Sequence, residues 1–313
     1  MANIFAGTLV FLPCGGIIED GGGMMSAKSA ARLLIPGFVC LFLSVFLPAS
    51  TQAGIPAEER QALIALYDST GGPDWFKRTN WLGPEGTEGT WLGVAVESGH
   101  VVRVSLPGNG LKGVVPSEIA GLQQLEVLDL TGDQPFFDVP IGIRNQITSL
   151  APAIGSLKKL RVLKMSGVGL QSLPDEICQL TGLATLELSY NQLTTLPSEI
   201  GALSNLRTLD VGSNLLASLP AGIGRLLALE FLTLWGNKLE HLPPEIGNLS
   251  SLIELHLGIN PLVDIPPELG QLPNLVSISF GHVRRLPAGI GALKNVQKLS
   301  VRYLDSEELS AEV

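Results

Sequence analysis

Five leucines, Leu183, Leu206, Leu229, Leu252 and Leu275, recur at one constant spacing. Each opens the same phrase, clearest in Leu206-Arg-Thr-Leu209-Asp-Val211-Gly-Ser-Asn214-Leu-Leu216-Ala-Ser-Leu219-Pro220-Ala-Gly-Ile223-Gly-Arg-Leu226. Its grammar is L-x-x-L-x-L-x-x-N-x-L-x-x-L-P-x-x-I-G-x-L. A unit this short cannot bury an apolar face alone, so identical units must stack and bury it against one another. The period therefore dictates a solenoid. L-x-x-L-x-L predicts a short strand whose alternate side chains point inward. The asparagine ends that strand in a tight turn, where its amide can satisfy backbone groups that would otherwise be buried unpaired. L-P-x-x-I-G-x-L predicts a return on the far side as a short helical turn, with glycine where the chain must bend.

Followed outward, the period organises residues 101–304 into about nine repeats. The first begins at Val101 and carries the turn Gly113-Val-Val115-Pro116. The second begins at Leu125 and places Asp133 where asparagine is expected, with Asn145 as a second candidate further on. Leu160 opens the third repeat later than the period requires, by the length of the segment 134–145, which therefore reads as an insertion. The third repeat has Val168 at the asparagine position. The next four are regular, and Asn109, Asn191, Asn214, Asn237 and Asn260 are predicted to form a ladder. The eighth, from Leu275, is slightly short, and the ninth, from Val296, is a strand before the acidic tail 305–313.

Residues 1–53 follow another grammar. Lys28 and Arg32 precede an apolar run from Leu33 to Leu47, and small residues lead to Ala53. This pattern predicts a secretory signal peptide cleaved after Ala53, with translation starting at Met24 or Met25. The run contains Pro36 and is shorter than a membrane span needs, so no stable span is expected after cleavage. Residues 54–100 predict a cap. Pro56, Glu58 and Glu59 start a helix with apolar Leu63, Leu66 and Tyr67, and Trp75, Trp81 and Trp91 follow it as a plug over the first repeat's open core.

The repeat phrase resembles the leucine-rich repeat family. Ala62-Leu63-Ile-Ala-Leu66-Tyr67, Asn80-Trp81, Trp91-Leu-Gly93-Val94 and Val101 to Leu111 are similar to the N-terminal cap of its plant-type extracellular members and their bacterial secreted relatives. The resemblance implies an α/β fold: a right-handed leucine-rich repeat solenoid with a parallel concave sheet, short helical or 3-10 turns on the convex side, and a helical cap. It also implies a capping cysteine two residues after the Gly-Val pair, but Val96 stands there and no cysteine lies between Cys40 and Cys178. The variant Leu196-Pro-Ser-Glu-Ile200-Gly-Ala-Leu203 is similar to intracellular Ras-binding leucine-rich scaffolds.

Catalytic and metal constellations are absent from the sequence. His100, His241, His256 and His282 have no partner at ligand spacing, and neither G-x-S-x-G nor a P-loop occurs. Cys178 replaces the glycine of other repeats (Gly201, Gly224, Gly247) and reads as a packed thiol. Asn248-Leu-Ser250 is a glycosylation sequon that the repeat grammar generates by itself. A net charge of −9 disfavours nucleic acid and anionic membranes as partners. No enzyme activity, cofactor or metal is expected.

A solenoid binds through the outward columns of its sheet. Most columns carry small polar residues, but repeats four to seven collect Glu187, Tyr190, Asp210, Phe231, Trp235, Glu254, His256 and Ile259. Exposed aromatics flanked by charge have the character of a binding hot spot; the competing reading is cross-strand packing of Phe231 and Trp235. The insertion could present Phe136 and Phe137 as a second binding element or tuck them onto the repeats. The expectation is a secreted or cell-surface module that recognises a protein or peptide. The alternatives are a cytoplasmic scaffold in small-GTPase or kinase signalling, were the leader not cleaved, and a hydrolase with residues convergent only in space.

Overall fold

The computed structural model describes residues 54–132, 145–283, 291 and 293–304. The leader with Met24, Met25 and its cleavage point, the loop bearing Phe136 and Phe137, and the acidic tail lie outside the described residues.

Helix α1 (Ala57–Ser69) opens the cap, with Pro56 before it and Glu58 and Glu59 in its first turn. Ala62, Leu63, Leu66 and Tyr67 fall on one helical face and are buried together. Against them pack three tryptophans. Tyr67 meets Trp75 edge-on at 5.0 Å and stacks on Trp81 at 5.8 Å, and Trp91 follows Trp81 at 5.1 Å. Buried indole N–H groups need acceptors. Trp75 donates to the Thr70 carbonyl at 3.0 Å and Trp81 to that of Leu92 at 2.9 Å.

Glu59 contributes more than a charge at the helix start. It is buried, accepts from the Val101 N–H at 2.6 Å and meets His100 Nδ1 at 2.7 Å. The first strand of the repeats is thereby tied to the cap helix. Packing and this carboxylate hold the cap, with no cysteine between Cys40 and Cys178 to staple it.

The strands follow in chain order: β1 (Val94–Glu97), β2 (His100–Ser105), β3 (Lys112–Val115), β4 (Val127–Asp129), β5 (Gln146–Leu150), β6 (Val162–Lys164), β7 (Thr185–Glu187), β8 (Thr208–Asp210), β9 (Phe231–Thr233), β10 (Glu254–Leu257), β11 (Ser277–Val283) and β12 (Lys298–Leu304). All but β3 and β5 form a single sheet in sequence order, antiparallel between β1 and β2 and parallel from β2 onward. β3 and β5 pair separately as a two-stranded parallel ribbon. In the shortest strands the central leucine is buried and its neighbours face outward. On the return path lie 3-10 turns such as Asp175–Gln179, Ala221–Arg225 and Pro244–Asn248. The expected solenoid of parallel strands and short 3-10 turns is the observed one.

The glycines of the I-G pair serve a purpose the sequence reading did not give them. Their φ angles are ordinary, so bending is not the constraint. A Cβ on Gly224 or Gly247 would stand 2.4 Å from the carbonyl oxygen of Glu245 or Glu268 in the next repeat. Stacking distance excludes a side chain there. Cys178 occupies the same position, and the turn that follows it in the stack, Ile200–Ala202, is shortened. Its thiol is buried, and burial, aided by Asp175 and Glu199, pushes its pKa up to about 11. Such a thiol is unreactive at neutral pH.

The asparagines each use both halves of the amide. In Asn214, Oδ1 accepts from the Leu193 N–H at 3.0 Å, while Nδ2 donates to the carbonyls of Leu188 at 3.0 Å and Val211 at 3.1 Å. Asn237 and Asn260 repeat this pattern one and two repeats on. Asn191 accepts from Val168, Gly169 and Leu170, so it also serves the third repeat, which lacks an asparagine. Asn109 differs: its amide pairs with the backbone of Lys77 at 2.7 and 2.8 Å, latching the first repeat to the cap.

Asn145 occupies the ladder position of the second repeat. Its Oδ1 accepts from Asn109 and Leu111, and its Nδ2 donates to Leu106, Leu130 and Thr131. Of the two candidates the sequence offered, Asn145 is thus the one that makes the ladder contacts. The physical reason is the donor half of the amide. Three carbonyls face this position, and an aspartate could only accept.

Candidate functional site

Strand register converts the sequence period into real columns. Ser105, Asp129, Lys164, Glu187, Asp210, Thr233, His256, Ser279 and Ser300 stand side by side across the sheet. Arg103, Val127, Val162, Thr185, Thr208, Phe231, Glu254, Ser277 and Lys298 form the neighbouring column. Residues from repeats four to seven thus share one face although Glu187 and Ile259 lie far apart along the chain.

Trp235 leans across this face toward Tyr190, two repeats away, and the rings meet edge-on at 5.4 Å and 72°. Gly212 makes that reach possible. A Cβ there would lie 2.6 Å from the indole nitrogen, so the ring spans the intervening repeat over a bare backbone. Trp235 and Tyr190 are half-buried, while Phe231, at the start of β9, is 38% exposed. The packing reading therefore describes one side of Trp235. Phe231 stays open to solvent.

Acidic residues frame the aromatics. Glu187 is paired with Lys164 at 2.9 Å and lies in register beside Asp210. Asp210 accepts from the Gly212 N–H at 3.0 Å. Burial raises its pKa and the neighbouring Glu187 adds to that, while hydrogen bonds from Gly212 and Ser189 and the attraction of His256 oppose it. Burial, then Asp210, raises the pKa of Tyr190. On the next strands Glu254 meets His256 Nε2 at 3.2 Å, and His256 Nδ1 lies 3.2 Å from the Ser279 hydroxyl. No triad geometry arises among these groups, and no cluster of three metal-ligating side chains occurs among the described residues.

The turn after each strand supplies a feature that residue types concealed. Gly108, Gly167, Tyr190, Ser213, Gly236 and Ile259 occupy one position of the repeat, and all are left-handed, with φ between 52° and 69°. Glycine adopts this conformation freely, whereas for an L-residue it costs roughly 1–2 kcal/mol. Ile259 is β-branched, has φ 55° and is 58% exposed, so no burial offsets its strain. Strain held at an exposed position is a marker of a functional surface. Tyr190 and Ile259 bracket Trp235 and Phe231 along the stack.

The sequence reading also missed the opposite edge of the sheet. The residues just before β4, β6, β7, β8 and β9 are Glu126, Arg161, Ala184, Arg207 and Glu230, a row never assembled from the repeat columns. Among the described residues no helix is long and apolar enough to cross a membrane.

Known proteins agree with this architecture. A family model described as a leucine-rich repeat region matches residues 145–235 and 220–313. The ectodomain of the plant membrane receptor kinase GASSHO1/SCHENGEN3 from Arabidopsis thaliana, solved in complex with CASPARIAN STRIP INTEGRITY FACTOR 2, is 27% identical with a TM-score of 0.57, covering 68% of this chain and 26% of that one. The PEPR1–AtPEP1 structure has a TM-score of 0.51 at 23% identity, covering 79% of this chain and 41% of that one. A Leptospira interrogans leucine-rich repeat protein is 30% identical with a TM-score of 0.44, covering 62% of this chain and 60% of that one. This chain spans about a quarter of the GASSHO1/SCHENGEN3 ectodomain. The two family matches together span more than half of the chain, and the chain belongs to the leucine-rich repeat family.

Proposed function

We propose that this chain is a non-catalytic recognition module, secreted or displayed at the cell surface, that binds a protein or peptide through the concave face of repeats four to seven. The observation that carries the reading is the Tyr190–Trp235 bridge laid over Gly212, with Phe231 exposed beside it. A preorganised aromatic platform on a rigid sheet loses little entropy on binding, which is how few residues come to dominate an interface. Glu187, Asp210 and Glu254 around it favour a ligand with basic side chains, which could stack on Trp235 while paired with a carboxylate. The leader in 1–53 and the ectodomain similarity support an extracellular place. Glu187, Tyr190, Asp210, Phe231, Trp235, Glu254, His256 and Ile259 form the proposed contact set.

A displayed random-peptide library, selected on the chain and counter-selected on Trp235→Ala, tests this reading. The expected result is an enriched set rich in Lys or Arg beside an aromatic or apolar residue. Its members should lose at least tenfold in affinity for Trp235→Ala and for Phe231→Ala. Phe231→Ala should melt with the parent, since that ring is exposed. Peptides that bind both variants as tightly as the parent would place recognition elsewhere.

A further inference from the structure

We infer that the edge of the sheet where the strands begin carries a second binding site, a basic groove that takes an acidic peptide segment with two carboxylates at i and i+3. A cavity of about 500 Å³ opens there, lined by Arg161, Arg207, Lys158 and Lys159, with Ala184 between the arginines and Glu126 at one end. Lys158 Nζ is held by the backbone carbonyls of Gly155 at 2.6 Å and Gln179 at 3.2 Å. Among the described residues no carboxylate forms an ion pair with Lys158, Lys159 or Arg161. Three cations without a carboxylate ion pair thus share one groove, with Glu126 at its end, on a chain whose net charge is −9. The groove gathers positive charge on a chain that is acidic as a whole.

The row preceding the strands sets the spacing. In stack order it reads Glu126, Arg161, Ala184, Arg207, Glu230, that is, negative, positive, neutral, positive, negative. Neighbouring strands lie ~4.8 Å apart, which puts Arg161 and Arg207 about 10 Å from one another across Ala184. In a polyproline II peptide, residues i and i+3 point the same way and are separated by about 9 Å. Two carboxylates at that spacing would each meet one guanidinium, the fork best suited to them. Arg207 is already oriented by Glu230, and Lys158 and Lys159 add charge from the adjoining loop. Glu126 and Glu230 close the row at both ends, so a longer polyanion is repelled where a two-carboxylate segment fits. The groove shares no residue with the aromatic face and stands or falls independently of it.

The test uses the full chain and a fluorescent acetyl-Glu-Pro-Pro-Glu-amide peptide, followed by anisotropy at low and high salt. Binding should weaken with salt. The Gln-Pro-Pro-Gln peptide should not bind, and Pro-Glu-Glu-Pro, with adjacent carboxylates, should bind about tenfold more weakly. Arg161→Ala should cost about tenfold or more, Lys159→Ala less, and Trp235→Ala nothing. Arg161 and Lys159 are exposed, so neither change should lower the melting midpoint. Equal binding of the glutamine peptide, an unchanged affinity in Arg161→Ala, or binding of tetragalacturonate in preference to the peptide would overturn the assignment.

Discussion

Asn145 offers the sharpest test of why this solenoid uses asparagine. Its side chain is 1% exposed. Oδ1 accepts from two N–H groups, those of Asn109 and Leu111, both at 3.0 Å. Nδ2 donates to the carbonyls of Leu106 at 2.9 Å, Leu130 at 2.8 Å and Thr131 at 3.1 Å. Thr131 keeps a second donor, the Gly108 N–H, so its carbonyl is not orphaned by a change at 145. Asn145→Ala takes the partner from two buried N–H groups and from the Leu106 and Leu130 carbonyls; the N–H groups, about 1–3 kcal/mol each, set the scale because an under-satisfied carbonyl is better tolerated. The expected loss is therefore about 2–6 kcal/mol, or on the order of 10 °C in melting temperature for a chain of this size.

Asn145→Asp preserves the acceptor and removes the donor. An ionised carboxylate would then face three carbonyl oxygens in a buried site, which raises its folded pKa above the unfolded value of about 3.9. Its penalty is small below that value, where the acid O–H donates to one carbonyl, and grows as pH rises toward the folded pKa. Thermal melts of parent, Ala and Asp variants at acid and neutral pH, with hydrogen exchange at the Asn109 and Leu111 amides, measure both effects. An aspartate variant as stable as the parent at neutral pH would refute the donor argument. Unchanged protection of those two amides in the alanine variant would refute the acceptor argument.

Two further outcomes follow from the sheet face. Ile259→Gly relieves roughly 1–2 kcal/mol of left-handed strain against about 0.5–1 kcal/mol of added unfolded-state entropy, so its denaturant midpoint should rise slightly; a fall would mean that the isoleucine is packed. Asp210→Asn keeps the acceptor for the Gly212 N–H. Because the Asp210 pKa is raised on folding, ionising it weakens the folded state only above the ordinary carboxylate range. The variant should therefore melt higher than the parent at neutral pH and level with it in acid, and a lower midpoint at neutral pH would contradict that origin of the shift.

The repeats and their columns were legible because spacing alone determines them. A strand at every turn of a constant period, stacked in parallel, forces Glu187, Asp210 and His256 into one row whatever their chemistry. What stayed hidden depended on atoms that only stacking brings close. Asp133 and Asn145 are equivalent in a polarity pattern, and only the three carbonyls facing that position separate an acceptor from a donor–acceptor. The I-G glycines look like bends until the next repeat's carbonyl stands against them. Glu59 reads as an acid at a helix start, yet it is buried against the Val101 N–H. The left-handed turn position escaped notice because glycine, tyrosine, serine and isoleucine all fill it, and the basic groove because its members fall outside the columns that point away from the sheet.

Places where a residue departs from what the stack favours therefore carry the most information, but departure alone does not mark a site. Cys178 stands where most other repeats carry glycine, and it is buried, its pKa is pushed up to about 11, and the turn that follows it in the stack is shortened. Ile259 stands where Gly167 and Gly236 sit in other repeats, and its side chain is exposed with φ left in the left-handed region. Tyr190 at the same position, by contrast, makes the edge-on contact with Trp235. A strained residue that packs can be explained by packing. One that is strained and exposed is not explained that way, and Ile259 lies one repeat beyond Trp235 and Phe231, on the face through which we propose that the chain binds.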